Sequence, residues 1–330
     1  LVGMEFTEGI KHAFSSAILE PGQHGVLVKD REAFQLRYGD TALILGQFDD
    51  GNLNNGGETL ELQDAYGRDV LEMRYSDSAL WPARADGRGG TLQLLDPDNT
   101  PAEQPSTSSH WRGSTELGGS PGTSGLPKIP VVINEILSHT DPPLTESDSI
   151  ELFNAGSSTV TLGGWYLSDS ISDPFKYRIP DGVVLEAGQY IVFDESDFNP
   201  TPLEPAPNHF ALNGAEGDDV WLTIGDGAGG LLQFIDDVRF PATANGESLG
   251  RVPAGQGFLT PLQSRTLGSA NAGPRVGPIF LSEIQYQPAA PSEAALAVAP
   301  NLTSDDLEFV EITNPTDVPV DLTEWRIRGG

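Results

Sequence analysis

Short apolar runs alternate with polar positions along most of the chain. In one such run, Val220, Leu222 and Ile224 lie on one face of an extended strand, because the side chains of a strand alternate between its two faces. Trp221 and Thr223 lie on the opposite face. Turn-forming pairs separate such runs at spacings suited to hairpins, as in Asp181-Gly182, Asn213-Gly214 and Asn245-Gly246. Many short strands with these turns predict an all-β fold of the sandwich type.

Two short helices are predicted among the strands. The first begins after Asp30, whose side chain can cap it, and ends at Gly39. Phe34 and Tyr38 share one face of this helix. A second, brief helix is predicted for Glu293–Val298.

One series of motifs occurs twice along the chain. The run Ile18–Leu27 resembles the run Val184–Phe193 in the order of its apolar, Glu, Gly and Gln residues. The resemblance continues downstream, where Leu60-Glu61-Leu62 matches Val220-Trp221-Leu222 and Met73-Arg74-Tyr75 matches Val238-Arg239-Phe240. Thr91-Leu92 and Ser248-Leu249 continue the series. Extended to the start of the chain, this correspondence places Leu1 opposite Leu167.

A second series of motifs repeats later in the chain. The run Val132–Ile136 resembles Phe280–Ile284, and the stretch Ile150–Trp165 resembles Val310–Trp325. We therefore predict three sandwich modules in tandem: the C-terminal part of one module plus a linker at 1–122, a complete module at 127–275, and the N-terminal part of a third at 278–330. Residues 97–128, rich in Pro, Ser, Thr and Gly, are predicted to be a strand-terminating tail and linker. Because both ends fall inside a module, the sequence is expected to be a piece of a longer protein.

The motifs of the complete module resemble the lamin tail domain family. They are Val132–Ile136, Glu151–Asn154, Val160–Asp169, Ile179–Gly182 and Leu185–Tyr190. The resemblance implies tandem immunoglobulin-like β-sandwich modules, in which Trp165 and Trp325 bury their rings between the sheets. The family has no shared catalytic motif, so the resemblance implies none in this segment. Bacterial members of the family are typically repeated in large exported proteins, sometimes beside kinase or hydrolase domains.

Composition narrows the possible partners and sites. The 48 Asp and Glu residues outnumber the 18 Lys and Arg residues, and the resulting net charge of −30 argues against nucleic acid and anionic membranes as partners. The absence of cysteine excludes disulfides, thiolate zinc sites and a cysteine nucleophile. No apolar run is long enough to span a bilayer, so no membrane span is predicted.

Two short motifs imitate catalytic or cofactor sites. Residues 246–250 fit G-x-S-x-G, but no histidine follows Ser248, as a hydrolase of that type requires. Residues 225–230 fit G-x-G-x-x-G, but they precede a strand-like run rather than a helix, which predicts a hairpin connection. We therefore predict no catalytic and no cofactor-binding residues in this segment.

Calcium is the only cofactor that the sequence leaves open. Three acidic turns supply the candidate ligands Asp49, Asp50, Asn52, Asp96, Asp98, Asp194 and Asp197. Calcium takes six to eight oxygen ligands, and none of these turns has a complete calcium-loop pattern. Solvated turns are therefore the favoured interpretation.

A pair of glutamates recurs in the opening strands of the modules. Glu135 and Glu151 correspond to Glu283 and Glu311. Paired carboxylates can act as acid and base, but a structural role, through hydrogen bonds to neighbouring groups, is favoured here.

These patterns predict a noncatalytic segment, extracellular or at the cell surface. It acts in adhesion, in binding a protein or a cell-envelope polymer, or in spacing another domain. Two alternatives stay open. The segment could be an accessory region of a secreted spore-coat-kinase-like or hydrolytic enzyme whose catalytic domain lies outside this chain. It could also be a calcium-stabilised carbohydrate-binding module.

Overall fold

The computed structural model describes residues 1–78, 81–100, 106–275, 277 and 279–323. This part of the chain is nearly all β, as predicted. Its three α-helices are short: α1 (Arg31–Tyr38), α2 (Glu195–Phe198) and α3 (Glu293–Val298). Single 3₁₀ turns occur at Ala83–Ala85, Ser108–His110 and Asp305–Leu307. Each helix that the structure describes is too short or too polar to cross a bilayer.

The first part of the chain contains nine strands. They are β1 (Glu5–Glu8), β2 (Ile10–Ala13), β3 (Gly25–Val28), β4 (Leu43–Gln47), β5 (Asp50–Gly51), β6 (Gly57–Gln63), β7 (Asp69–Ser76), β8 (Leu92–Leu94) and β9 (Trp111–Gly113). Five of them form an antiparallel sheet in the order β5-β2-β1-β6-β7. The parallel pair β3–β4 is connected through α1, and β8 pairs with β9.

The middle part of the chain forms a two-sheet sandwich. Its strands are β10 (Val131–Leu137), β11 (Ser149–Asn154), β12 (Val160–Thr161), β13 (Trp165–Ser168), β14 (Tyr177–Arg178), β15 (Val184–Leu185), β16 (Tyr190–Asp194), β17 (Gly217–Gly225), β18 (Leu231–Pro241), β19 (Ser248–Arg251) and β20 (Leu259–Pro261). One sheet has the order β16-β11-β10-β19-β20, and the other has the order β14-β13-β17-β18. The short pair β12–β15 stands apart from both.

The core of the sandwich lies between these two sheets. Ile133 and Leu152 from the first sheet and Leu222 from the second are completely buried within one apolar cluster. Trp165 joins that cluster with only 6% of its surface exposed, which confirms its predicted structural role. Trp325 lies outside the described residues.

The last part of the chain forms an antiparallel hairpin of β21 (Phe280–Gln285) and β22 (Phe309–Thr313). Its register places Glu283 opposite Glu311, as the register of β10 and β11 places Glu135 opposite Glu151. In both hairpins an irregularity of the register directly precedes the first glutamate. The two hairpins therefore share their pairing as well as their sequence motifs.

The predicted helices are confirmed. The Asp30 side chain accepts a hydrogen bond from the Ala33 amide at 2.8 Å and so caps α1. Gly39 ends the helix with a φ of 74°, a backbone conformation that favours glycine. The rings of Phe34 and Tyr38 lie 4.8 Å apart on one face.

The predicted correspondence at the start of the chain is wrong by several residues. The Gly3 amide donates to the Phe14 carbonyl at 2.9 Å, and the Gly164 amide donates to the Ile179 carbonyl at the same distance. Gly3 therefore corresponds to Gly164, and Leu1 does not correspond to Leu167. The discrepancy arises because a single residue separates β1 from β2, whereas a longer loop separates β13 from β14.

The predicted linker at 97–128 is also partly wrong. Trp111–Gly113 forms β9, and the Thr115 carbonyl accepts a hydrogen bond from the Phe234 amide in β18 at 2.7 Å. Strand pairing uses backbone groups, so a segment rich in Ser, Thr and Gly can add to a sheet although its composition is typical of loops. This segment packs against the middle sandwich.

Candidate functional site

The two predicted glutamates of the middle sandwich are adjacent and completely buried. Glu135 in β10 lies directly opposite Glu151 in β11. The Glu135 carboxylate accepts hydrogen bonds from the Thr266 amide at 2.9 Å and from the Thr266 hydroxyl at 2.6 Å. Both of its oxygen atoms are thus occupied by one residue of the loop that follows β20.

Glu151 is held in the same way. Its carboxylate accepts hydrogen bonds from the Asn134 side-chain amide at 2.8 Å and from the Gly268 backbone amide at 2.5 Å. Asn134 also donates to the Asn271 side-chain oxygen at 2.8 Å, and Asn271 donates to the Arg251 carbonyl at 2.9 Å. Two carboxylates and two asparagines therefore bind the loop 264–272 to strands β10, β11 and β19.

This arrangement leaves no room for a substrate at the carboxylates. The loop covers both Glu135 and Glu151, and each of their four carboxylate oxygens accepts a hydrogen bond from the protein itself. A general acid or base must reach the proton of a substrate. The pair is therefore built to hold a loop rather than to transfer protons, which agrees with the structural role favoured from the sequence.

Burial changes the ionisation of this pair. The pKa of Glu151 is raised to about 7, mainly by removal from water and to a smaller extent by the neighbouring Glu135. Hydrogen bonds from Asn134 and Gly268 partly oppose this rise in the pKa. Asp148, at the entry to β11, has a pKa raised to about 6, mainly by burial. Both groups hold protons more tightly in the folded protein than in the unfolded chain.

We expect the protein to become less stable as the pH rises from 5 to 8. A carboxyl group with a raised folded-state pKa contributes stability below its unfolded-state pKa and loses that contribution as the pH rises through the folded-state value. The loss assigned to Glu151 is on the order of 2 kcal/mol between pH 4.5 and 7.5. Urea denaturation at several pH values measures it, and Glu151→Gln should flatten the curve, leaving the smaller contribution of Asp148. An unchanged slope in that variant would contradict the assignment.

The predicted calcium ligands lie in three separate turns. Those with exposed side chains are Asp49, Asp50, Asn52, Asp96, Asp98 and Asp197. Asp49 accepts a hydrogen bond from the Ala13 amide at 3.2 Å, and Asp96 accepts from the Asn99 amide at 3.1 Å. These bonds are typical of turns that carboxylates stabilise locally.

The third turn is a helix cap. The Asp194 side chain accepts a hydrogen bond from the Ser196 amide at 2.8 Å. It also accepts from the Asp197 amide, and the Asp197 side chain accepts from the Asp194 amide at 3.1 Å, which forms a capping box on α2. Within the described ranges, no three acidic or histidine side chains converge into a group that could hold a metal ion. The calcium site thus stays a prediction without a cluster to support it.

The two motifs that imitate catalytic sites lie in β structure. Ser248 begins β19 and pairs with Leu137, so the sharp turn into a helix that a nucleophile elbow needs is not formed. Residues 225–230 connect β17 to β18, and Asp226 accepts hydrogen bonds there from the amides of Ala228 and Gly230. The prediction of a hairpin connection is confirmed.

The sequence reasoning missed a polar contact between the first part of the chain and the middle sandwich. The Arg84 guanidinium pairs with Asp237 at 2.5 Å, donates to the Ser114 carbonyl at 2.6 Å and lies 4.7 Å from the centre of the Phe234 ring. Arg88 pairs with Asp219 at 2.9 Å. No local pattern marks Arg84, because its partners lie far away in sequence.

The same contact buries the second face of β17 and β18. Trp221 and Phe234 are almost fully buried although they point away from the sandwich core, and Arg88 lies over the Trp221 ring. Their rings are 5.9 Å apart. An aromatic pair that would otherwise face water is thus covered by the segment that precedes the sandwich.

Comparison with known proteins gives one match. Residues 127–238 match the model of the family described as Lamin Tail Domain. No curated protein and no solved structure matches the chain. The matched region includes Glu135 and Glu151, and it ends before the loop that covers them.

Proposed function

We propose that the chain is a noncatalytic segment of a large exported protein. The match of residues 127–238 to the lamin tail domain family, an immunoglobulin-like noncatalytic domain family, supports this proposal. The segment acts outside the cell or at its surface, where it binds a protein or a cell-envelope polymer and spaces another domain. The observation that carries the noncatalytic role is that all four oxygens of the two buried carboxylates accept hydrogen bonds from the protein itself.

A tandem arrangement of modules is part of the proposal, with units at 1–122, 127–275 and 278–330. Three features support it. The Gly3–Phe14 bonding repeats as Gly164–Ile179, the pairing of Leu60 with Met73 repeats as that of Val220 with Val238, and the β10–β11 register repeats in β21–β22.

A large cavity in the first part of the chain fits the same arrangement. It measures about 1240 Å³ and lies between β3 and β8. By the repeat, β3 and β8 correspond to β16 and β19 of the middle sandwich, and β11 and β10 lie between those two strands. In the middle sandwich the corresponding space is filled by the opening strands β10 and β11, which supports the interpretation of the cavity as the interior of a module rather than a ligand pocket.

A spacer must hold its modules in a fixed relation, and the contact at Arg84 provides the means. Salt bridges with little exposed surface and a cation–π contact join Arg84 and Arg88 to β17 and β18. Such a contact restricts relative motion more than a flexible linker rich in Gly and Ser would.

Distance measurements between spin labels test the spacer function. The chain has no cysteine, so spin labels attach only to cysteines that are introduced by substitution. Tyr66→Cys and Leu203→Cys introduce them at residues that are 85% and 97% exposed. We expect one narrow distance distribution from pulsed electron paramagnetic resonance. Arg84→Ala should broaden it, and Arg178→Ala, which breaks an exposed ion pair with Asp181, should leave it unchanged.

A broad or multiple distribution in the otherwise unchanged protein would contradict the spacer function. Equal broadening by Arg84→Ala and Arg178→Ala would contradict the role of the Arg84 contact.

A further inference from the structure

A cleft of about 340 Å³ lies where the first part of the chain meets the middle sandwich. Its walls come from the segments 81–84 and 112–115, from β18, and from the turn before β20. This volume is at the lower end of the range of ligand pockets and suits a single sugar ring or a molecule of that size.

Positive charge is concentrated in this cleft. Its basic lining residues are Arg84, Arg112, Lys128, Arg239 and Arg251, and its acidic ones are Asp236 and Asp237. The chain as a whole has 18 basic and 48 acidic residues. The lining of the cleft therefore has a positive net charge, whereas the protein as a whole has a negative one. Such a site attracts an anion to one place on an acidic protein.

Three of the basic side chains already have acidic partners. Arg84 pairs with Asp237, and Arg239 pairs with Asp219 at 3.2 Å. Arg251 pairs with Asp236 at 2.9 Å and also donates to the Ile133 carbonyl at 2.8 Å. These residues form the wall of the cleft and are engaged by the protein.

The remaining two, Arg112 and Lys128, have no acidic partner among the described residues. The Nε atom of Arg112 is buried and has no hydrogen-bond acceptor there. A buried charged donor without an acceptor is unfavourable, and a carboxylate in the cleft would relieve that cost.

Aromatic side chains complete the cleft. Trp81 lines it, and Phe258, which also lines it, keeps 64% of its surface exposed. Flat aromatic faces suit the apolar faces of sugar rings, and cationic side chains suit carboxylates. Together they match a sugar that carries an acidic group.

We propose that this cleft binds a uronic acid unit of an acidic polysaccharide. The carboxylate of the sugar pairs with Arg112 and Lys128, and its ring stacks on Trp81. The inference rests on the proposed function, since it names the chemical class of the envelope polymer. At physiological ionic strength charges interact over about 8 Å, so the acidic surface further away does not cancel the local attraction.

Calorimetric titration with a trigalacturonate tests the proposal at 0.15 M salt on the full chain, with tryptophan fluorescence as a second signal. We expect saturable binding, at least about 10-fold weaker binding of the neutral trigalactose, and at least about 10-fold weaker binding of trigalacturonate to Arg112→Gln and to Lys128→Gln. Arg68→Gln removes the same charge at an exposed ion pair remote from the cleft and should bind like the unchanged protein.

Several results would overturn the proposal. They are absence of binding to the unchanged protein, equal binding of the neutral sugar, and equal losses in Arg68→Gln and Arg112→Gln. Inorganic phosphate that competes at equal concentration would show a general anion site and would also overturn it. The melting temperature of each variant verifies that it is folded. The spin-label distances do not depend on this cleft being occupied, so a failure here leaves the spacer function standing.

Discussion

Replacement of Arg84 by alanine is expected to lower the free energy of unfolding by about 3–5 kcal/mol. The change leaves the carboxylate of Asp237 without its cation in a largely buried site and removes the donor to the Ser114 carbonyl. It also exposes the Phe234 ring, over which the guanidinium lies. Urea denaturation followed by tryptophan fluorescence measures the loss, because Trp221 lies at the same contact.

The matched control is Arg68→Ala, which removes an ion pair with Asp64 in which the arginine side chain is 74% exposed. Exposed pairs contribute about 0–1 kcal/mol, so this variant should unfold almost as the unchanged protein does. Equal effects of the two substitutions would show that the contact at Arg84 does not join the first part of the chain to the sandwich.

Glu135→Ala is expected to cost about 2–4 kcal/mol. It leaves the buried Thr266 amide and hydroxyl without acceptors and opens a cavity in the centre of the sheet. Glu283→Ala makes the same chemical change at the corresponding position of β21, where the side chain is exposed. That control should change stability by less than about 0.5 kcal/mol.

Melting temperatures and urea midpoints of both variants measure this difference. A Glu135→Ala protein as stable as Glu283→Ala would mean that the loop 264–272 does not depend on the carboxylate, and the structural role assigned to Glu135 would be wrong.

The alternation of apolar and polar residues was sufficient to predict the fold class and the position of its core. Leu222 falls on the inward face that period-two alternation gives it. Trp165, whose burial the family resemblance implied, lies in the same core. The limits of α1 followed from Asp30 and Gly39, because capping depends only on residues near the helix ends. These features are determined by residues that are close together in the sequence, so a single stretch of sequence is enough to predict each of them.

The features that sequence reasoning missed are produced by contacts between distant residues. Thr266 holds Glu135 across 131 positions of the chain, and Arg84 reaches Asp237 across 153. The burial of Trp221 on the outer face of β17 likewise depends on a segment that precedes the sandwich. The alternation of apolar and polar residues in a strand indicates that the two faces of the strand differ. It does not indicate which segment of the chain covers each face.

A signal for the loop at 264–272 was nevertheless present in the sequence. Leu117-Gly118 in the first part of the chain repeats Leu267-Gly268, and Gly268 supplies the amide that binds Glu151. The predicted series of matching motifs ends at Ser248-Leu249, before this repeat. The carboxylates were predicted to be structural, but their partners were not identified.

Hydrogen exchange at two backbone amides tests the scaffold role of the carboxylates most directly. The amides of Thr266 and Gly268 donate to Glu135 and Glu151, so they should exchange slowly in the intact protein. Glu135→Ala should release the Thr266 amide, and Glu151→Ala the Gly268 amide, in a folded chain. Rapid exchange of both amides in the unchanged protein would mean that the loop opens freely and leaves the two carboxylates accessible, which contradicts a purely structural pair.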